Sequence, residues 1–165
     1  KKEGPSMLQQ SLVTKGLCLH YLSGRGPGSS KRALCPLQKA LSTAKLGKLH
    51  TSYVRTCLAI ADVCIECGGE TELAEAEKIL KKSSEYCEHH SGDHPGDPYY
   101  LVIEKALGCE KRASLNIIYQ QYNMALQLLT EAKYLLAGIE EMAIQTKVSN
   151  IEDTIARCNE AIENQ

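Results

Sequence analysis

Leu8, Leu12, Leu19 and Leu22 recur at intervals of one and two helical turns, which predicts a helix over residues 7–22. The glycine-, proline- and serine-rich run 23–30 ends it as a loop. A second helix is predicted to residue 46, with Gly47 as its stop. A third spans 51–67 and is closed by Gly68 and Gly69, and a fourth spans 70–89. Leu73, Ala76, Ile79, Leu80 and Ser83 mark the inner face of that fourth helix. Gly92, Pro95, Gly96 and Pro98 make 91–98 a linker, after which 99–137 reads as helical with a break near 120–123. β-Branched pairs such as Ile117-Ile118 sit inside 3.6-residue patterns, so strand signals are weak throughout.

The last segment has its own pattern. Ser149 followed by Glu152 has the spacing of a capping box and predicts a helix start there. Ile144, Val148, Ile151, Ile155, Cys158 and Ile162 alternate four and three residues apart, a heptad-type seam shorter than three heptads. That seam suits a terminal helix covering the end of a core, and Ile144, Val148, Ile151, Ile155 and Ile162 are its candidate interface with a neighbouring subunit.

A small–bulky–small triplet at offsets of zero, four and seven recurs in the helical segments. It appears as Ala33-Leu37-Ala40, Ala76-Leu80-Ser83 and Ala125-Leu129-Ala132. Ala33 and Ala76 are 43 positions apart, and Ala76 and Ala125 are 49 apart. A preceding first-helix set, Leu17-Cys18 with Tyr21 and Ile60-Ala61 with Cys64, keeps a distance of 12 residues from Tyr21 to Ala33 and from Cys64 to Ala76. Small residues at one level let two antiparallel helices approach, and the bulky residue one turn later fills the space beside them. One hairpin cannot bury its apolar face alone, so hairpins stack.

This arrangement resembles the tetratricopeptide repeat, and the run from Cys57-Leu58-Ala59-Ile60-Ala61 to Ile79-Leu80, followed by Gly92-Asp93-His94-Pro95, is similar to its longer-period form in kinesin light chains. The resemblance is strongest over 51–95. Cys64 stands where the family carries Tyr, Asn116 where the third repeat needs a small residue, and Tyr119 lies only 6 residues before Ala125. Pro36 falls inside the second helix. The resemblance implies an all-α fold of antiparallel hairpins stacked as a short right-handed solenoid. Its parts would be a tail (1–7), repeats (8–47, 51–90 and 98–137) and a C-terminal capping region (138–165). It also implies a groove lined by first helices, with Lys15, Leu19, Leu22, Arg55, Leu58, Asp62, Ile65, Ala113, Ile117, Gln120 and Gln121 facing a peptide or partner. Only Lys15 and Arg55 match the cations with which family members clamp a C-terminal carboxylate. A peptide held mainly by apolar and hydrogen-bonding contacts is the expected ligand.

Charge excludes one class of partner. Nineteen basic residues against 20 acidic ones give a formal charge of −1, without the concentrated positive charge that phosphate binding requires, so no nucleic-acid partner is expected. No apolar run approaches the ~20 residues that span a bilayer, so no membrane insertion is expected. The 165 residues suffice for a core, but with no Phe or Trp that core must come from Leu, Ile, Ala, Cys and Tyr. The eight cysteines lie along helical segments of a mid-sized chain, which favours reduced thiols in cytoplasm or nucleus over a disulfide framework. The chain begins with Lys, which suggests a fragment or processed product of a longer protein.

Chemistry is scarce. Cys64-x2-Cys67 with Cys87, His89, His90 and His94 has the composition of a zinc set. An antiparallel hairpin would place the two groups at opposite ends of about 15 helical residues, roughly 22 Å, so no metal is expected on that set. A Cys–His pair using Cys87, His89 or His90 lacks an orienting third group, and Gly24, Gly26 and Gly28 do not join a strand to a phosphate-facing helix. Asp93 and Asp97 lack the spacing of a calcium loop. The expectation is a non-enzymatic interaction module without cofactor, part of a larger protein or assembly. A helical subunit packing through its C-terminal seam is the alternative, and a zinc- or thiol-dependent protein a remote one.

Overall fold

A computed structural model describes residues 5–23, 30–93 and 100–164. Among the described residues the chain is all-α, with seven helices and no strand. They are α1 (Pro5–Ser23), α2 (Lys31–Leu46), α3 (His50–Cys67), α4 (Glu70–His90), α5 (Val102–Ile118), α6 (Tyr122–Leu136) and α7 (Met142–Glu163). None is long and apolar enough to cross a membrane. Most of the two expected loops, 24–29 and 94–98, and with them His94 and Asp97, lie outside the described residues. Two compact units result: Lys1–His90 holds α1 to α4, and Ser91–Gln165 holds α5 to α7.

In the first unit α1 packs on α2, α2 on α3, and α3 on α4, while α1 also touches α3. The recurring triplets are what the helices bury: Ala33, Leu37, Ala40 and Ala76 are 0% exposed, Leu80 1% and Ser83 2%. α3 is buried on most sides, with Val54, Cys57, Ile60, Ala61, Val63 and Cys64 all in the core. Gly68 closes it in the left-handed conformation (φ 70°), where a Cβ would be strained, and gives its N–H to the Cys64 carbonyl. α4 carries Glu70 and Glu72 in its first turn and His89 and His90 in its last, matching the helix dipole at both ends.

Of three local expectations two are met, the stop of α2 at Gly47 and Pro36 inside that helix, and one is corrected. α2 stops before Gly47, but Gly47 has φ −80° and the left-handed residue is Lys48 (φ 52°), which lets the Leu49 N–H reach the Ala44 carbonyl. In α1 the expected first-helix set is displaced: Tyr21 is 66% exposed and Cys18 is exposed, whereas Gly16 and His20 are buried. The reason is space, because only a residue without Cβ fits where α1 crosses Leu37. Pro36 lies past the first turn of α2, buried, and has no N–H for the carbonyl four residues earlier.

The second unit is a hairpin of α5 and α6 joined by a three-residue turn, with α7 packed on α6. Its core joins Ala106, Cys109 and Ala113 of α5 with Ala125, Leu129, Ala132 and Leu136 of α6, and Ile144, Ile151 and Cys158 of α7. Ala113 fills the small position that the sequence register assigned near Asn116, which is only half-buried. The turn bends at Gln120 (φ 58°), and the Gln121 N–H returns to the Asn116 carbonyl at 2.7 Å. Ser149 does not begin a helix. It is exposed inside α7, whose N-cap is Glu141, because the seam starting at Ile144 extends the helix two turns earlier.

Candidate functional site

The cleft between α1 and α3 is built from two short polar faces. α1 supplies Gln9, Gln10, Val13 and Thr14, and α3 supplies Ser52, Arg55 and Thr56, around about 350 Å³. Both sets follow helical spacing, so each lies on one face of its helix. The floor is hydrogen-bonded: Gln9, 4% exposed, donates through Nε2 to Thr56 Oγ1 at 2.8 Å, and the Thr56 hydroxyl donates to the Ser52 carbonyl at 2.6 Å. Burying an amide without a partner would cost about 1–3 kcal/mol, which explains the Gln–Thr pairing here. Arg55 is exposed.

A second link joins the same two helices further along. His20, 2% exposed, meets Glu66 with Nε2 3.0 Å from Oε2, while its buried Nδ1 has no hydrogen-bond partner among the described residues. The Gln9–Thr56 pair is separated by 47 residues and the His20–Glu66 pair by 46. Two bonds at nearly constant offset mean that α1 and α3 run parallel and in register. The residue before α2 is tied to α4 as well: the buried Ser30 hydroxyl donates to Glu72 Oε1 at 3.2 Å.

Of the residues assigned to a groove by sequence, Arg55 alone lines this cleft. Lys15 and Leu22 are exposed and Leu19 is half-buried on α1. Leu58 is 4% exposed and belongs to the core, while Asp62 and Ile65 are half-buried on α3. In the second unit Ala113 is fully buried, Ile117 packs partly against the core, and Gln120 and Gln121 form the α5–α6 turn. The C-terminal seam is turned inward. Ile144, Ile151 and Cys158 are core residues, Val148 and Ile155 pack against them, and Ile162 is half-buried. Gln9, Gln10, Val13, Thr14, Ser52 and Thr56 were not anticipated.

The start of α3 and the end of α4 form an aromatic cluster. Tyr53 and Tyr86 stack with ring centroids 4.1 Å apart, and His90 lies 4.3 Å from Tyr86 and 4.4 Å from His50. The Tyr86 hydroxyl and His50 Nδ1 are 2.9 Å apart. Burial pushes the Tyr53 hydroxyl up to about 12, with Cys57 and Tyr86 adding to the shift.

Three buried thiols are tuned away from reactivity. Burial pushes Cys57 and Cys64 up to about 12 and Cys109 up to about 11, with nearby acidic groups adding to the latter two. A nucleophilic cysteine needs the opposite shift, because the thiolate is the reactive form. None of the eight cysteines is in a disulfide, and only Cys18 and Cys35 are exposed. No family model, no curated protein and no solved structure matches this chain.

Proposed function

We propose that the chain is a non-enzymatic protein-interaction module of tetratricopeptide-like hairpins, whose α1–α3 cleft holds an extended peptide segment of a partner. The observation that carries this reading is the parallel register of α1 with α3, fixed by two bonds at offsets of 46–47. Successive hairpins stacked in a solenoid bring first helices alongside first helices and second alongside second. The cleft's chemistry suits main-chain recognition: the amide of Gln10 and the hydroxyls of Thr14 and Ser52 can exchange hydrogen bonds with peptide groups. Val13 offers apolar contact, and Arg55 favours an acidic side chain or a terminal carboxylate. Eight cysteines outside any disulfide fit a reducing compartment, cytoplasm or nucleus. The alternative of assembly through the C-terminal seam is less favoured, since Ile144 and Ile151 already serve the unit's own core.

Capture from cell lysate tests the reading, comparing the wild-type chain with an Arg55→Glu variant of equal helicity. Proteins retained by the wild type and lost by the variant are the expected result. Identical captured sets would show that the cleft is not the binding surface.

A further inference from the structure

His50 is the first residue of α3 and His90 the last residue of α4, so the antiparallel pairing brings two imidazoles together at one end of the hairpin. One ligand nitrogen from each and a carboxylate oxygen of Asp93, just beyond α4, lie within 4.8 Å of one another; the two imidazoles are half-buried and Asp93 is exposed. Two nitrogens bound to one ion at about 2.0–2.1 Å each stand roughly 3–4 Å apart, which a small rotation of either ring supplies. We propose that His50, His90 and Asp93 bind a late first-row divalent metal ion of the zinc class at this end of the α3–α4 hairpin.

Three features of the surroundings support that assignment. Tyr86 engages His50 Nδ1 at 2.9 Å, which fixes the ring and directs Nε2 to the metal, the arrangement that outer partners give to metal-bound histidines. The Tyr86 ring is itself held by stacking on Tyr53, so the orienting hydroxyl is carried on a packed platform. Imidazole donors select zinc, copper, nickel or cobalt over magnesium and calcium, which take oxygen. With three protein ligands a tetrahedral ion keeps one coordination position for water or for a donor group of another molecule. The set differs from the cysteine–histidine combination that the sequence suggested, sharing only His90, and it is independent of the α1–α3 cleft.

Calorimetric titration of zinc into the full, reduced chain tests the proposal. One equivalent should bind, and His50→Asn and His90→Asn should each weaken binding at least ~10-fold at unchanged helicity. Tyr86→Phe, which keeps the ring and removes only the hydroxyl, should also weaken it by ~10-fold. Equal affinity in wild type and both histidine variants would overturn the site, as would no uptake by the wild type. So would a cobalt-loaded form showing thiolate charge-transfer absorption, since that would put the ion on cysteines.

Discussion

Gly16 of α1 lies so close to Leu37 of α2 that a Cβ added to it would stand 2.6 Å from Leu37 Cγ and 3.1 Å from the Ala33 carbonyl oxygen. Helix propensity alone favours Ala over Gly by about 1 kcal/mol. Here Leu37 is fully buried and the carbonyl belongs to backbone, so neither neighbour can yield cheaply, and overpacking of this kind costs about 1–3 kcal/mol. Gly16→Ala should therefore lower stability by about 1 kcal/mol in urea denaturation. Combined with Leu37→Ala, which opens the space, it should add little or become favourable. An additive double variant would contradict the close approach.

The Gln9–Thr56 bond makes a second prediction. Thr56→Val keeps the shape and removes the acceptor of a buried amide, so it should cost about 1 kcal/mol. The loss falls at the low end because Gln9 Nε2 is also 3.5 Å from the Ser52 carbonyl, which the variant releases from its bond to Thr56. Adding Gln9→Met should recover most of the loss, since the unpaired polar group then disappears. A double-mutant cycle by chemical denaturation measures both effects.

The raised thiols and Tyr53 give the protein an alkaline limit. Each of Cys57, Cys64, Cys109 and Tyr53 holds its proton to higher pH when folded than when unfolded. The unfolded chain begins to release thiol protons near pH ~8.5, so above that pH it binds fewer protons than the folded chain and stability falls. Stability from these groups should be fully present below pH ~8 and decline steadily toward pH 11, read as a falling urea midpoint. At pH 8 a thiol reagent should modify two cysteines quickly, Cys18 and Cys35, and the other six only as the chain unfolds. More than two fast thiols would contradict the burial.

Much of the helical framework was legible because the triplets obey the helix period and consist of residues whose only role is to fill space. Ala33, Ala76 and Ala125 are all fully buried, as that reading requires. The cleft was not legible for a related reason. The buried stripe of α1 runs Gln9, Gly16, His20, at intervals of seven and four, with the half-buried Val13 between them. Three of those four residues are not apolar, so a hydropathy pattern follows Leu8, Leu12, Leu19 and Leu22 instead, and Leu22 is 83% exposed. Gln9 and His20 are tolerated inside because Thr56 and Glu66 on α3 complete them, and those partners lie 46–47 residues away, beyond the reach of any local pattern. Ser149 misled for the opposite reason. Its spacing to Glu152 imitates a cap, but buried Ile144 lies upstream within the same helix and carries α7 straight through the serine.

The most direct test of the central claim measures peptide binding at the α1–α3 cleft. Peptides selected on the intact chain from a random phage-displayed library would be labelled and titrated by fluorescence anisotropy against wild type, Arg55→Glu and Thr14→Ala. The account predicts selected peptides bearing an acidic residue or using their free carboxylate, bound at least ~10-fold more weakly by Arg55→Glu, since loss of a charge-assisted bond and its replacement by repulsion exceed 1.4 kcal/mol. Selected peptides that bind Arg55→Glu as tightly as the wild type, or a library that yields none, would contradict it.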